Sequence, residues 1–352
     1  NAIAISGNYA IVGALIDNKA YIFEKTVSDG WSQVSVLEHA LNPVAYFGAS
    51  VAIDGDYAIV GAYDTPSLGG NTWTDGSAHI FERDSSGVWS EVVMLQPSAK
   101  LTGTGSGNKY ARFGCFVAID GDYVAIGANY NSFYHQNSNF GGTSNGSVHI
   151  YKRDSNGNWN EFDDVIFFNT DLSTRLGGNA YFGSNIVLQG DDLYVGTSGT
   201  SNQGGSVLYI FKMNSGGTGF EPAQHISPTG DDGFSRYGLA VSGDYMIVGA
   251  VYDDYNNNSL SNTGAIYTYA RNSSGVWEQK QYLHVQDPAV NDQFGYAVAI
   301  HGDKAIVCSK SKIVGPENEY SGVAVVYERT GSNWNQIDYI ESTTYGDQFG
   351  YA

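Results

Sequence analysis

The chain has 352 residues, with 17 basic and 36 acidic side chains and a formal net charge of -19. It therefore lacks the basic balance that binding to nucleic acid phosphates needs, and nucleic acid is not expected as a partner. No run of about 18 apolar residues is present, so we expect no direct insertion into a membrane.

One phrase returns six times along the chain. It consists of an aromatic-Gly pair, about four residues of apolar strand, a Gly-Asp turn, a Tyr, and Ile-Val-Gly-Ala. A repeated unit too small to bury its own apolar face must stack on copies of itself. The turn glycines of the six copies are Gly7, Gly55, Gly121, Gly190, Gly243 and Gly302.

The second copy is complete and has four β-rich runs separated by turn signals, which predicts a blade of four antiparallel strands. We therefore predict an all-β fold, a single β-propeller domain over 1–352. Tyr351-Ala352 aligns with Asn1-Ala2, so 346–352 begins a further repeat. Six blades are favoured, and a seven-bladed ring or a fragment of a tandem array is the alternative. The predicted blades cover approximately 1–41, 42–100, 101–170, 171–227, 228–285 and 286–345.

Short turns such as Asp54-Gly55-Asp56 join the first two strands of a blade, and Asp84-Ser85-Ser86-Gly87 joins the last two. By alternation, the remaining connections share the opposite edge, where variable loops usually carry binding. All the long insertions fall there: 63–76, 96–112, 129–146, 167–181, 197–205, 251–264 and 310–321.

Two short pairs recur in register, as in Phe47-Gly48 with Gly61-Ala62, Phe113-Gly114 with Gly127-Ala128, and Phe294-Gly295. They resemble the FG-GAP repeat, the β-propeller unit of integrin alpha-subunit heads and many microbial surface proteins. The resemblance implies adhesion or surface recognition. In the fifth unit Tyr237-Gly238 replaces Phe-Gly. The calcium loops that several family members carry between the first two strands are replaced here by minimal hairpins, so those metal sites are not carried over.

A residue that recurs in blade after blade is interpreted as scaffold. Four arginines at the end of the third strand follow this pattern: Arg83, Arg153, Arg271 and Arg329. Five tryptophans open the fourth strand and are expected to pack between blades: Trp31, Trp89, Trp159, Trp277 and Trp334. Cys115 and Cys308 fall in strands of different blades, so no disulfide is expected between them.

The insertion loops mix aromatic rings with short polar side chains, a combination that suits recognition of a glycan or a protein epitope. Arg112 and Arg236 both precede an aromatic-Gly pair at the loop-rich edge, where anion binding is a second option. The candidate ligand-binding residues are Trp73, Arg112, Tyr130, Tyr134, His135, Arg236, Tyr252 and Tyr255.

Asp253, Asp254 and Asn256 offer oxygen ligands of the kind that Ca²⁺ prefers, although three groups fall short of the usual six to eight. The sequence requires no cofactor, and calcium is the one ion considered. No nucleophile elbow or metal-ligand spacing accompanies the histidines, so no catalytic residue is predicted.

The sequence therefore predicts a non-enzymatic extracellular or cell-surface propeller, which binds a glycan or an extracellular protein ligand through loops on one rim. Two other classes stay open. One is a polysaccharide-active enzyme on a propeller scaffold, and the other is a structural spacer in a tandem cell-surface array. Further partners would be flanking repeats or domains of a longer chain.

Overall fold

The computed structural model describes residues 2–27, 30–39, 46–64, 75–96, 111–130, 146–166, 180–199, 206–228, 233–255, 259–313, 321–342 and 349–351. These residues form six antiparallel sheets of four strands, and within each sheet the strands follow one another in chain order. No helix occurs in the described ranges. The fold is the predicted all-β, six-bladed propeller.

The first three blades have these strands: β1 Ile3–Ser6, β2 Tyr9–Ala14, β3 Lys19–Thr26, β4 Gly30–Leu37, β5 Phe47–Asp54, β6 Tyr57–Ala62, β7 Ser77–Arg83, β8 Trp89–Leu95, β9 Phe113–Asp120, β10 Tyr123–Ala128, β11 Ser147–Arg153 and β12 Trp159–Ile166. The last three blades have these: β13 Asn185–Gln189, β14 Asp192–Gly196, β15 Leu208–Met213, β16 Phe220–Ile226, β17 Phe234–Ser242, β18 Tyr245–Ala250, β19 Ala265–Arg271, β20 Trp277–Leu283, β21 Ala297–His301, β22 Lys304–Ser309, β23 Val323–Thr330 and β24 Asn333–Glu341.

The chain divides into two compact units. The first comprises Asn1–Leu193 with Lys212–Glu221 and holds blades one to three. The second comprises Tyr194–Phe211 with Pro222–Ala352 and holds blades five and six. The fourth blade contributes segments to both units. The second strands β6, β10 and β18 keep only their first tyrosine partly exposed, whereas β2 and β22 of the first and sixth blades are less completely buried.

The predicted hairpins are tight in the second blade. Asp54 pairs with Tyr57, and Gly55 between them has a φ of +56°, which suits a two-residue hairpin turn. The turn between the third and fourth strands is held by Asp84, whose Oδ1 accepts the backbone N–H groups of Ser86 and Val88 at 2.8 and 2.9 Å. This short side-chain bridge explains why an Asx residue opens that turn.

The Phe-Gly pair and the Gly-Ala pair that recur along the chain contact each other where neighbouring blades meet. Phe113 of the third blade is fully buried and forms a parallel bridge with Gly76 of the second. A Cβ atom on Gly61 would lie 2.0 Å from the carbonyl oxygen of Gly114. Glycine is therefore needed at Gly61, because the next blade's backbone occupies the place of a side chain. The same contact joins Gly249 to Gly295 in the second unit.

The assignment of Tyr237-Gly238 as the aromatic-Gly pair of the fifth blade is wrong. Phe234 fills that place, since it is almost fully buried and pairs with Ala250 as Phe47 pairs with Ala62. Ser235 takes the left-handed backbone of the usual glycine, with a φ of +59°. The fifth blade has one extra residue before Leu239. For this reason Tyr237-Gly238 resembles the aromatic-Gly pair of the repeat in the sequence.

The scaffold role of the repeated arginines is confirmed. In each of three blades the guanidinium lies over a tyrosine ring of the preceding blade, with the carbon Cζ 4.4 Å from the Tyr9 centroid for Arg83, 4.0 Å from Tyr57 for Arg153 and 3.5 Å from Tyr245 for Arg329. Arg271 instead donates to the Tyr194 hydroxyl at 2.6 Å. These contacts tie neighbouring blades together at the edge of the short turns.

The repeated tryptophans pack between blades, with one exception. Trp89, Trp159 and Trp277 each make an edge contact with a tyrosine of the preceding blade, at centroid distances of 5.9 to 6.1 Å. The prediction is wrong for Trp31, which is 43% exposed. Trp31 belongs to the first blade of its unit, so no preceding blade in that unit covers its ring.

Residues 349–351 repeat the blade contact at the end of the chain. Phe349 donates its N–H to the Ser321 carbonyl at 2.9 Å, and a Cβ atom on Gly322 would meet the Phe349 oxygen at 2.0 Å. Across the described parts of the chain, nothing has the length and apolar character of a membrane-crossing helix.

Candidate functional site

The edge of the long connections carries a group of stacked rings in the first unit. Tyr63 follows β6, Arg112 precedes β9 and Tyr130 follows β10, so three separate connections place their first or last residues side by side. The Arg112 Cζ lies 4.0 Å from the centroid of the Tyr130 ring and 5.4 Å from that of Tyr63. Both distances are those of cation–π contacts.

Further tyrosines extend this stack on both sides. Tyr46 stacks on Tyr63 with the ring centroids 5.0 Å apart and the planes 10° apart, and Tyr181 lies 5.0 Å from Tyr130. Tyr46 is 41% exposed. Burial raises the pKa of Tyr63 above its ordinary value of 10.0. We call this surface the Arg112 cluster, and its members are Tyr46, Tyr63, Arg112, Tyr130 and Tyr181.

Three members of the Arg112 cluster have a left-handed backbone that recurs at this place in the repeat, as in Gln293 before Phe294-Gly295 with a φ of +56°. Tyr46, Arg112 and Tyr181 each precede a Phe-Gly pair and have φ values of +61°, +57° and +50°. Residues with a side chain rarely adopt this left-handed region, and holding them there costs about 1 to 3 kcal/mol each. Glycine would relieve that strain, as Gly233 does at the same place in the fifth blade with a φ of +63°.

The second unit carries a related group, the Arg236 cluster. Arg236 lies over the rings of Tyr237 and Tyr252 at 5.1 and 5.5 Å, and Tyr237 stacks on Tyr296 at 4.7 Å. Lys310 lies 3.6 Å from the Tyr296 centroid, and burial lowers the pKa of its ammonium group. The cluster consists of Arg236, Tyr237, Tyr252, Tyr296, Lys310 and Tyr351. Arg236 follows Phe234 and does not precede the aromatic-Gly pair, which corrects its predicted place in the repeat.

Asp253 and Asp254 make contacts of a different kind from those that calcium would need. The Asp253 carboxylate is buried and accepts the hydroxyls of Tyr282 and Tyr267 at 2.5 and 3.3 Å. Burial raises the pKa of Asp253. Asp254 accepts the N–H of Asn262 at 2.7 Å. These contacts give the calcium site no support, and it stays a prediction.

Tyr255 belongs to the surroundings of Asp253. Its ring lies 4.8 Å from His284, which in turn contacts Tyr282 at 4.7 Å. Tyr255 therefore contacts a different group of rings from Tyr252, which lies in the Arg236 cluster. Four predicted site residues lie outside the described residues: Trp73, Tyr134, His135 and Asn256.

A group that the sequence reasoning missed lies in the first unit. Among the described residues, His39, His79 and Glu91 bring their ligating atoms within 4.8 Å of one another. Burial lowers the pKa of His79. His39 and Glu91 are 52 positions apart and belong to different repeats, so no short spacing in the sequence signals the contact.

The fold and its repeated contacts define the class of this protein, a six-bladed β-propeller. The model of the family described as FG-GAP repeat matches residues 41–81, 96–151 and 277–326. The predicted resemblance is therefore confirmed. No curated protein matches the sequence.

Solved structures share the fold at low sequence identity. A protein from Lactobacillus plantarum is 12% identical with a TM-score of 0.56, and the match covers 97% of this chain and 84% of that chain. A putative 6-phosphogluconolactonase from Bacteroides fragilis is 12% identical with a TM-score of 0.54, over 91% of this chain and 76% of that chain. At this identity the similarity concerns the fold alone.

Proposed function

We propose that this chain is a non-enzymatic binding propeller of the extracellular space or cell surface, which recognises a glycan or an extracellular protein ligand through the Arg112 cluster. One observation carries the proposal: the guanidinium of Arg112 lies against the rings of Tyr130 and Tyr63, which belong to two other connections at the same edge.

The composition of the cluster supports recognition. Tyrosine and arginine are enriched among the residues that dominate binding energy, because they combine large contact area with directional hydrogen bonds. The guanidinium supplies a local positive charge on a chain of net charge -19. It would attract a carboxylate or sulfate group of an acidic glycan or an acidic side chain of a protein.

Arg112→Gly is expected to weaken binding without harming the fold. Removal of the guanidinium should weaken ligand binding at least about tenfold, the effect of losing an interface hot spot. The free energy of unfolding should stay unchanged or rise, because glycine relieves the strained φ of +57°. Binding is measured on an array of glycans and extracellular matrix proteins, and stability by urea unfolding.

The matched control is Arg153→Ala, since Arg153 makes an equal cation–π contact of 4.0 Å with Tyr57 at the opposite edge of the blades. This variant should lose stability and keep binding. The proposal fails if Arg112→Gly binds every ligand as the parent does, or if the parent protein binds nothing on the array.

A further inference from the structure

His39, His79 and Glu91 meet where the first two blades join. His79 lies in β7, Glu91 lies in β8, and His39 follows β4 of the preceding blade. The Glu91 carboxylate contacts Nδ1 of His39 at 2.8 and 3.0 Å and Nδ1 of His79 at 2.8 Å. The His79 side chain is fully buried, whereas those of His39 and Glu91 are 11% and 20% exposed. One side of the group therefore opens to solvent.

The chemistry of this group is that of a transition-metal site. Two imidazoles and one carboxylate form a common protein ligand set for Zn²⁺, and three protein ligands leave one coordination position for water. Metal–ligand bonds of about 2.0 to 2.2 Å with tetrahedral angles separate the ligand atoms by roughly 3.4 Å. The contacts of the carboxylate with the two nitrogens are 2.8 to 3.0 Å, and all the ligating atoms lie within 4.8 Å of one another. Binding of the ion would lengthen the carboxylate contacts by about half an ångström and bring the two imidazole nitrogens closer together.

The buried imidazole has the support that a metal ligand requires. Nε2 of His79 lies 2.8 Å from the Ser77 hydroxyl, which can accept its proton and leave Nδ1 with a free lone pair. Metal-bound histidines almost always have such a partner on the second nitrogen, because it fixes the tautomer and the ring orientation. The His39 ring lies 4.6 Å from the His79 ring and presents its own Nδ1 to the same carboxylate.

The third blade offers an internal comparison. His149 occupies the place of His79 in the repeat and has the same serine contact, with Ser147 at 2.9 Å. His39 comes two residues after Leu37, and the residue two positions after Leu95, which ends the second blade, is Pro97. A second imidazole is therefore missing from the sequence at that position, and His149 has no counterpart of His39 there.

We propose that His39, His79 and Glu91 bind a divalent transition-metal ion, for which Zn²⁺ is the reference. The ion would link the end of the first blade to the third and fourth strands of the second. This site is independent of the Arg112 cluster, because it uses none of its residues.

The test uses the untagged full chain, freed of metal with a chelator and titrated with Zn²⁺ by calorimetry. We expect one Zn²⁺ per chain, and an affinity at least about 100-fold lower in His39→Gln, since loss of a direct ligand should exceed the cost of losing an outer-shell partner. Ser77→Ala should weaken binding about 10- to 100-fold. His149→Gln is the matched control and should bind Zn²⁺ as the parent does.

Two results would overturn the proposal: a folded parent protein that takes up no stoichiometric Zn²⁺, or a His39→Gln variant with unchanged affinity. X-ray absorption of the Zn²⁺-loaded parent needs no variant, and it decides the matter if His39→Gln does not fold. It should report two imidazole nitrogens in the zinc shell, and a shell without imidazole would place the ion elsewhere.

Discussion

Gly114→Ala is expected to lower the free energy of unfolding by about 3 kcal/mol or more, as the sum of backbone strain and overpacking. Gly114 has a φ of +89°, and an added Cβ atom would lie 2.2 Å from the carbonyl oxygen of Ser77. The groups nearest to the added Cβ atom are backbone groups of the second blade, so no side chain can rotate away to make room for it. Urea unfolding followed by circular dichroism measures the loss.

Gly216→Ala is the control for that substitution. Gly216 lies in the turn between β15 and β16, and the nearest atom to an added Cβ is 3.6 Å away. Its change in stability should stay within about 0.5 kcal/mol, as for other surface positions. Equal stabilities of the Gly114→Ala and Gly216→Ala variants would refute the role assigned to the Phe-Gly pair.

Lys312→Met is expected to destabilise the protein by about 3 to 5 kcal/mol at pH 7, the cost of leaving a buried charge without its partner. The Lys312 ammonium donates to Asp292 at 2.9 Å and to the carbonyl of Asp287 at 2.8 Å. The side chains of Lys312 and Asp292 are only 9% and 1% exposed. Urea unfolding of parent and variant at several pH values measures the difference.

The pH dependence of the destabilisation by Lys312→Met identifies the buried charge of Asp292 as its cause. Burial raises the pKa of Asp292 above its usual value of 3.8, although Lys312 opposes the shift. A group with a raised folded-state pKa binds its proton more tightly when folded, so the cost of burying its charge falls as pH falls through that pKa. Loss of Lys312 raises this pKa further. The destabilisation should therefore be smaller near pH 4.5 than at pH 7.

Lys304→Met is the matched control, because Lys304 pairs with Glu328 in the same blade but both side chains are about half exposed. It should leave the urea midpoint nearly unchanged. A Lys312→Met variant with the same small effect, or with no dependence on pH, would show that the buried pair does not hold the sixth blade together.

The blade itself could be predicted because its signals are local and repeated. Asp54-Gly55-Asp56 specifies a hairpin by its own turn chemistry, and Phe113-Gly114 recurs in register with Gly61-Ala62. Repetition also distinguishes scaffold residues from site residues, since Arg83 and Arg153 take equivalent places in their blades. The prediction of the aromatic-Gly pair is wrong in the fifth blade for two reasons. One inserted residue puts Tyr237-Gly238 near the expected position, and Phe234 is followed by serine.

The candidate site could be predicted only in part. Arg112 and Tyr130 were selected from their place in loops, but Tyr46, Tyr63 and Tyr181 were not, because each belongs to a different connection. The left-handed backbone of Arg112 has no signal in its own residue type. The sequence also carries no signal for the group of His39, His79 and Glu91, because contacts between repeats depend on packing and not on spacing.

Hydrogen–deuterium exchange with a ligand selected on the binding array locates the surface that the ligand covers. We expect the ligand to slow exchange in segments 46–48, 62–64, 111–114 and 128–130, which carry or flank the Arg112 cluster. Exchange in the turns at the opposite edge, 84–88 and 154–158, should not change. Protection confined to those turns, or absent from the segments of the Arg112 cluster, would contradict the proposed recognition surface.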